Sequence, residues 1–438
     1  MSNFISAPVP ALRAYPGKLF VETTTRCNLG CAMCVKHSQG CGMSEGEMSR
    51  TIFTALEPAF HHIEALVLNG VGEPLMHPGL EDFIRTARAA MPQEGWIGFQ
   101  SNGLLLSAQR ALSLVEAGLE RVCISVDAAS PEKFRSIREG GELSGTGRAF
   151  NAMVLAKERL GRPEVRVGME FVLMRSNLGE LPATLRWAAA RGASFAIVTH
   201  VLPYDELHTE EAAYDTCSDE AVALFNTCRA EAERQGLDIF SYFEARWKFA
   251  QNPQERRIVE LVEAMKRNAE TRGVFIDMKK LLTMDSRVNA EVEAVFDEVR
   301  AIAAETGLEL RLPETMLREK RRCHFIEEGG AFVSWDGNVS PCYFLWHRYL
   351  CFASGWAQQV KPKVFGNLRE SGILDVWNDP SFRMFRENVL AYDYPSCSSC
   401  SLAPCDYVQT EEFEQDCHIR EVPCGACLWC MGVFQCLR

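Results

Sequence analysis

The sequence has no excess of positive charge and no long hydrophobic run. Lys and Arg number 46 against 58 Asp and Glu, which gives a formal net charge of −12. Since phosphate binding needs a basic face, this charge argues against a nucleic-acid partner. No apolar stretch reaches membrane-spanning length, and residues 1–16 lack an apolar core after a basic start. We therefore expect a cytoplasmic protein with no membrane partner.

The sequence also lacks low-complexity segments and internal repeats, but it is rich in cysteine. There are 18 cysteines, and eleven of them lie from Cys323 onward. Because the cytosol keeps thiols reduced, these residues indicate metal ligands before they indicate disulfides. A chain of 438 residues is too long for one core of ordinary size, so we expect two or three domains.

Residues 18–204 alternate short apolar runs with longer amphipathic ones, which predicts parallel β/α units. The predicted strands are 19–24, 65–68, 97–100, 121–126, 165–173 and 195–199. The predicted helices are 45–58, 80–90, 108–116, 147–159 and 181–191. Six such units make an α/β fold, a partial (β/α)6 TIM-type barrel. In such barrels, ligands bind at the carboxyl ends of the strands.

The remaining chain divides by composition. Residues 1–17 form an N-terminal extension, and residues 205–312 form a helical insertion with predicted helices at 218–234, 253–267 and 288–305 and a bridging strand at 308–312. Residues 313–438 form a cysteine-rich C-terminal domain. Within it, Asp336-Gly337 between two apolar runs is a strong hairpin signal. The predicted hairpin brings Cys323 and Cys342 towards each other.

Three cysteines follow the first predicted strand at the spacing C-x3-C-x2-C. Cys27, Cys31 and Cys34 can bind three corners of a [4Fe–4S] cube and leave the fourth iron open. An open coordination position is where a substrate or cofactor binds, so this motif indicates a catalytic cluster. Taken alone, the three cysteines are also compatible with part of a zinc site or with unligated thiols.

This loop resembles that of the radical S-adenosylmethionine (SAM) enzymes. In that family the amino and carboxylate groups of SAM chelate the open iron, and an electron from the cluster cleaves SAM to methionine and a 5′-deoxyadenosyl radical. The resemblance implies that Gly72-Glu73-Pro74 contacts the SAM amino group, although Val71 replaces the first glycine of the family motif.

Polar residues after the next two strands also match SAM contacts of the family. Asn102, Ser125 and Asp127 suit ribose hydroxyls and the SAM carboxylate, and Arg138 suits the carboxylate. For the short polar residues, helix capping is an equal alternative. For Gly72-Glu73 the alternative is a plain turn, and for Arg138 it is an exposed, solvated side chain.

The C-terminal region resembles the SPASM extension of radical SAM enzymes, which carries two auxiliary [4Fe–4S] clusters. The family pattern fits well through Cys400 and then departs, because the next two spacings are four and eleven residues in place of five and three. The resemblance implies that Cys323 and Cys342 serve one cluster and that Cys397, Cys400 and Cys405 begin the other. The predicted auxiliary ligands are Cys323, Cys342, Cys397, Cys400, Cys405, Cys417, Cys424, Cys427 and Cys436.

Two C-x2-C pairs in this region, Cys397/Cys400 and Cys424/Cys427, are also typical of a zinc ribbon. The number of thiols favours iron, because one open and two closed cubes need eleven thiolates and the two cysteine regions supply fourteen. Cys351 and Cys430 are left without a ligand role, and either is a candidate hydrogen-atom donor.

The ending around Pro423–Trp429 is similar to that of a maturase subgroup associated with tungsten-dependent aldehyde oxidoreductases. These resemblances imply a SAM-cleaving enzyme that abstracts hydrogen from a protein or peptide substrate, with a flavodoxin- or ferredoxin-type electron donor. The alternatives are a ribosomal peptide-modifying enzyme that forms crosslinks or epimerises residues, a sulfatase-type maturase, and a non-catalytic iron–sulfur or zinc carrier.

Overall fold

Short strands alternate with helices through the first half of the chain, and hairpins follow in the second half. The computed structural model describes residues 9–38, 41–214, 217–284, 286–318, 320–353, 355–397, 400, 405–410, 412 and 414–438. The strands are β1 (Lys18–Val21), β2 (Gly30–Cys31), β3 (Ala65–Val67), β4 (Trp96–Ser101), β5 (Arg121–Ser125), β6 (Arg138–Glu139), β7 (Arg166–Leu173), β8 (Phe195–His200), β9 (Glu309–Arg311), β10 (Gly330–Val333), β11 (Asn338–Ser340), β12 (Tyr349–Cys351), β13 (Gln358–Val360) and β14 (Gly366–Asn367).

Several helices begin at short polar caps or at prolines. Ser49, Ser107 and Ser218 each accept a backbone hydrogen bond from the first turn that follows. The α-helices are α1 (Arg50–Thr54), α2 (Glu57–Phe60), α3 (Leu80–Ala90), α4 (Ala108–Ala117), α5 (Pro131–Ile137), α6 (Leu143–Arg159), α7 (Leu181–Ala189), α8 (Asp219–Arg234), α9 (Tyr242–Trp247), α10 (Pro253–Thr271), α11 (Met278–Thr283), α12 (Ser286–Thr306), α13 (His324–Glu327), α14 (Ile373–Trp377), α15 (Pro380–Ala391) and α16 (Asp406–Gln409). Short 3-10 helices lie at Pro10–Leu12, Val35–His37, Pro74–Met76, Arg175–Glu180, Leu207–Glu211 and Ile239–Ser241.

One sheet organises the molecule. Its strand order is β14-β11-β10-β1-β3-β4-β5-β7-β8-β9, and the pairs from β10 to β9 are all parallel. The six strands predicted between residues 18 and 204 are therefore present as β1, β3, β4, β5, β7 and β8. The α/β fold class and its parallel core are confirmed. Parallel order places the carboxyl ends of these strands at one edge, where the site forms.

The predicted hairpin is also present, and it extends the barrel sheet. β10 and β11 pair antiparallel across Asp336-Gly337, and β10 pairs in parallel with β1. Glu22 strengthens this connection, because its carboxylate accepts a hydrogen bond from Val71 N at 3.0 Å and lies 3.0 Å from His347 Nε2. The cysteine-rich region thus continues the sheet of the first half of the chain.

The predicted helix at 45–58 is wrong in its first turn. The helical residues are Arg50–Thr54 and Glu57–Phe60. Residues before them pair with the end of β1 instead, since Thr25 N donates to Gly46 O at 3.1 Å. A side chain at position 46 would overlap the Trp335 ring, so this segment needs glycine and extended backbone.

The helical insertion has a hydrophobic core of its own. Helices α8, α9 and α10 contribute Phe225, Tyr242 and Val262 to it, and α11 contributes Leu281. The long helix α12, in contrast, packs its buried Phe296 into the main core, and β9 adds a parallel strand beyond β8. Helices α8 to α11 therefore share a core of their own, whereas α12 and β9 belong to the main core and sheet.

The C-terminal tail lies across the open side of the barrel. Val433 O accepts a hydrogen bond from His200 N at 3.4 Å, and Gln435 N donates to Thr199 Oγ1 at 3.0 Å. Farther along, Arg438 pairs with Glu328, which also binds Lys18 of β1. The tail therefore bridges β8 and the β1 side of the sheet.

A membrane-spanning helix was not expected from the sequence. In the part of the chain described above, no helix is both long enough and apolar enough to cross a bilayer.

The N-terminal extension is held by a buried tryptophan, which yields a stability prediction. Trp377 is fully buried, its indole N–H donates to Arg13 O at 2.9 Å, and the Arg386 guanidinium lies 3.6 Å from its ring centroid. We expect Trp377→Ala to lower the free energy of unfolding by about 3–5 kcal/mol, because it leaves a large cavity.

The exposed Trp247 provides the matched control, since 78% of its surface is accessible. Urea titration of both variants measures the difference. An equal decrease in the free energy of unfolding for Trp377→Ala and Trp247→Ala would show that Trp377 does not hold the N-terminal extension.

Candidate active site

The cysteine loop, residues 27–34, follows β1 and is held in place from both sides. Asn28 Oδ1 accepts a hydrogen bond from Asn102 Nδ2 at 2.8 Å, which ties the loop to the end of β4. Lys36 Nζ donates to Thr25 O at 2.9 Å and closes the loop on itself. Strand β2, which contains Cys31, pairs antiparallel with β6. The loop is therefore fixed by the strand ends that surround it.

The three thiols of this loop line one cavity. Cys27, Cys31 and Cys34 face a space of about 300 Å³ at the carboxyl ends of the strands. Burial raises the pKa of each thiol, that of Cys34 to about 11. Cys31 lies near enough to the other two thiols to raise the pKa values of Cys27 and Cys34 further. Three thiols beside one open space would suit three corners of a [4Fe–4S] cube and would leave its fourth iron without a protein ligand.

The motif after β3 packs directly on the cysteine loop. A Cβ atom at Gly72 would lie 2.4 Å from Thr24 O and 2.5 Å from Arg26 O, so only glycine fits there. The neighbouring Glu73 N donates to Arg26 O at 2.8 Å. This contact sets the distance between the loop and the end of β3.

The carboxylate of Glu73 binds the protein itself. It accepts hydrogen bonds from Ser101 Oγ at 2.7 Å, Asn102 N at 2.8 Å and Leu75 N at 3.1 Å. Burial raises the pKa of Glu73, and these donors act in the opposite direction. Glu73 lines the cavity, but its side chain joins the ends of β3 and β4, which is a positioning role.

Arg138 and Asp127 form a buried ion pair beside Cys31. Arg138 Nε donates to Asp127 Oδ2 at 2.6 Å, and its Nη1 lies 3.8 Å from Cys31 Sγ. Burial alone would lower the pKa of Arg138, but Asp127 and Cys31 raise it above its ordinary value. The guanidinium lines the cavity, so it is placed to meet an anion there. It is not the exposed, solvated side chain of the alternative hypothesis.

Asp127 lies behind this arginine. Its side chain is fully buried, and Oδ1 accepts a hydrogen bond from Val172 N at 2.8 Å. It is not part of the cavity wall, so the predicted direct contact with SAM does not match its position. The other predicted contacts, Gly72, Asn102 and Ser125, do line the cavity.

The cavity also has walls that the sequence prediction missed. They are Asn69, Gln100, Glu170, Tyr204, Trp346, Trp429, Phe434 and Gln435. A carboxylate within the otherwise apolar run of β7 was a usable signal for Glu170. The tail residues gave no such signal, because only the folded chain brings them to the barrel.

Nine of the eleven C-terminal cysteines form two groups. The first cysteine group surrounds one enclosed space and contains Cys323, Cys342, Cys424, Cys427 and Cys430. A hydrogen bond between Cys427 and Cys430 raises the pKa of Cys427 and lowers that of Cys430. Five thiols are available where a closed cube needs four, so the donor set fits one cluster.

The second cysteine group contains Cys397, Cys400, Cys405 and Cys417, which line a neighbouring cavity. Burial first, and then the other three thiols, raise the pKa of Cys397 to about 12. Cys397 N donates to Gly425 O at 2.9 Å, so the two groups adjoin. Four thiols at one place fit a second closed cube.

Two cysteines lie elsewhere than the sequence prediction placed them. Cys436, predicted as a ligand, lies in the tail near Lys18, Glu328 and Arg438, and no other cysteine is among the described residues lining its pocket. Cys430, left without a role, lies in the first cysteine group. The tail turns away from this group after Cys430 because Val433 and Gln435 bind β8.

Comparisons with known proteins match two domains to this chain. The radical SAM superfamily matches residues 21–188, and SPASM, an iron–sulfur cluster-binding domain, matches residues 323–401. The chain is 26% identical to the tungsten-containing aldehyde ferredoxin oxidoreductase cofactor-modifying protein of Pyrococcus furiosus, over 95% of this chain and 96% of that protein.

Two further similarities are partial or distant. GTP 3′,8-cyclase of Pelotomaculum thermopropionicum is 35% identical over 29% of this chain and 39% of its own length. The structure of Streptococcus suis SuiB bound to S-adenosylmethionine aligns with a TM-score of 0.49 at 11% identity, over 93% of this chain and 77% of that chain.

The contact of Gly72 with the cysteine loop yields a prediction. Gly72→Ala places a methyl group against backbone oxygens that cannot move aside, so we expect the loop to shift and bind iron poorly. Anaerobically reconstituted protein should lose up to about four irons, the content of one cube.

Gly42→Ala is the control, because a Cβ atom there meets nothing within 4 Å. Its iron content should equal that of the wild type. Full iron content in Gly72→Ala would show that the contact does not position the loop.

The grouping of the C-terminal cysteines yields a second prediction. Cys417→Ala removes one of four thiols in the second cysteine group, so we expect a loss of about four irons. Cys436→Ala should retain the wild-type iron content, because Cys436 lies in neither group. Loss of iron in Cys436→Ala, with full iron content in Cys417→Ala, would restore Cys436 as a ligand and contradict the observed grouping.

Proposed function

Because the chain is a radical SAM enzyme with a C-terminal SPASM domain, we propose that it matures a tungsten- or molybdenum-type oxidoreductase by hydrogen abstraction. The observation that carries this proposal is the convergence of Cys27, Cys31 and Cys34 on a cavity beside Gly72 and Arg138. The proposed substrate is a protein or peptide, or the cofactor bound to one. The relative from Pyrococcus furiosus, which spans nearly the whole chain, is named for cofactor modification and supports the metalloenzyme assignment.

The cysteine loop would hold the SAM-binding cluster through its three thiols. The chemistry that a bound cluster supplies is one-electron reduction of the SAM sulfonium, which yields methionine and a 5′-deoxyadenosyl radical. The protein contributes position and exclusion of water. Gly72 lets the backbone approach closely. Arg138, held in place by Asp127, would bind the SAM carboxylate through its guanidinium.

The polar strand ends would hold the remainder of SAM. Asn102 and Ser125 line the cavity at the ends of β4 and β5, where they can bind hydroxyl or carboxylate oxygens. Val172, Val201 and Leu202 give the same cavity an apolar side. An apolar wall excludes water, which protects a reactive species from side reactions.

The two cysteine groups of the C-terminal region would hold the auxiliary clusters. The first cysteine group adjoins Trp429, which also lines the barrel cavity. A cluster there would lie next to the substrate space, where it can anchor substrate or accept the electron left after hydrogen abstraction. A flavodoxin- or ferredoxin-type protein is the proposed electron donor.

This proposal predicts the iron content and the product of SAM cleavage. Wild-type protein should contain about twelve irons, and the triple variant Cys27/Cys31/Cys34→Ala about eight, taking four irons per cube. The reduced wild type should form 5′-deoxyadenosine from SAM, and Cys27→Ala should not, because the open-site cube loses a ligand.

Cys41→Ala is the matched control, since Cys41 follows the same loop but is not among the residues that line the cavity. It should retain both iron and product. Bound zinc, with no iron lost in the triple variant, would contradict the radical mechanism and favour a zinc scaffold.

A further inference from the structure

A single acidic side chain faces the barrel cavity from the middle of β7. Glu170 lies in register with Ser125 of β5 and Ile197 of β8, so its side chain shares their face of the sheet. It is part of the cavity wall that also includes the cysteine loop. Since a strand buried on both faces is normally apolar throughout, a carboxylate at this position needs an explanation.

A row of amide side chains supports Glu170. Asn69 Nδ2 donates to Gln100 Oε1 at 2.9 Å, and the Gln100 side chain hydrogen-bonds to the Glu170 carboxylate. Because the oxygen of Gln100 is already used as an acceptor, its N–H group is directed to Glu170. This row holds the carboxylate in place and leaves part of its acceptor capacity free.

Glu170 has no direct counterion among the residues that the structure describes. Arg138 acts on it from a distance, but the guanidinium is bonded to Asp127 and lies against Cys31. Among the residues that the structure describes, none forms a salt bridge with Glu170. Burial raises the pKa of Glu170 to about 7, which is the effect expected of a carboxylate that lacks a partner.

The other walls of the cavity favour a flat ligand. Tyr204, Trp346, Trp429 and Phe434 surround it, contributed by the end of β8, the cysteine-rich region and the tail. Aromatic faces stack well on planar guanidinium groups and heterocycles, and a carboxylate binds a planar pair of N–H donors with both oxygens. An ammonium group, which is compact and strongly hydrated, gains less from such walls.

We propose that Glu170 recognises the substrate in the barrel. Its carboxylate binds a guanidine-type group of the substrate, which presents a planar pair of N–H donors. An arginine side chain presents such a pair, and so does an aminopyrimidinone ring such as guanine. This inference rests on the proposed function, because it assigns the specificity of the same site. Gln100 and Asn69 are positioning residues in this arrangement.

Three probes test this assignment on the reconstituted holoenzyme, kept oxidised and saturated with SAM so that no cleavage occurs. Agmatine presents a guanidinium, guanosine presents an aminopyrimidinone, and 1,5-diaminopentane presents an ammonium of similar reach to agmatine. Calorimetric titration gives the Kd of each probe. We expect agmatine or guanosine to bind, and 1,5-diaminopentane to bind at least about tenfold more weakly than agmatine if agmatine binds.

The variants identify the residue responsible. Glu170→Gln keeps the shape but replaces an acceptor with a donor, so the bound probe should lose at least about tenfold in affinity. Glu309→Gln is the control, because Glu309 lies on β9 of the same sheet but pairs with Arg166 outside the cavity. Its Kd values should match the wild type. Wild-type iron content in each variant verifies that it is folded. If Glu170→Gln has lost iron, Glu170→Asp, which keeps the carboxylate, is titrated in its place.

Binding of agmatine alone assigns the site to an arginine-type side chain, and binding of guanosine alone assigns it to a heterocycle. Either result supports the proposal. It is overturned if neither agmatine nor guanosine binds to the wild type, if 1,5-diaminopentane binds as tightly as the probe that does bind, or if Glu170→Gln leaves the Kd of that probe unchanged. SAM cleavage by wild type and Cys27→Ala is measured separately. Failure of the proposed function would therefore appear there, and failure of this inference would appear only in the titrations.

Discussion

The close packing of Gly72 against Thr24 and Arg26 is the contact on which the site depends. It brings the end of β3 against the start of the cysteine loop, with room for backbone only. From there, Glu73 reaches the end of β4, and Asn102 at that end reaches back to Asn28 in the loop. Three consecutive segments thus hold one another through short hydrogen bonds. These bonds, together with the pairing of β2 and β6, give the thiols a fixed geometry.

The second half of the chain completes the same cavity. β10 extends the parallel sheet next to β1, and Glu22 connects the barrel to His347. The tail then crosses the open side, where Gln435 binds Thr199 of β8. Trp346, Trp429 and Phe434 become cavity walls as a result. The cysteine-rich region therefore shapes this cavity as well as providing two groups of thiols.

Sequence reasoning was most successful where a local pattern carries the information. Hydrophobic periodicity predicted the six parallel strands, and the Asp336-Gly337 turn predicted the β10–β11 hairpin. It failed where the outcome depends on distant contacts. The position of Asp127 is set by Arg138 and Val172, and the separation of Cys430 from Cys436 by the path of the tail. In the segment before α1, Gly46 packs against Trp335, far away in the sequence. No spacing within the sequence records such contacts.

The central claim is that the cysteine loop leaves one iron open for SAM. Electron–nuclear double resonance of the reduced protein, with 15N in the SAM amino group and 17O in its carboxylate, tests it directly. The account predicts hyperfine couplings from both nuclei to the cluster signal, and their loss in the triple Cys27/Cys31/Cys34→Ala variant. SAM that binds to the protein without either coupling would contradict the account.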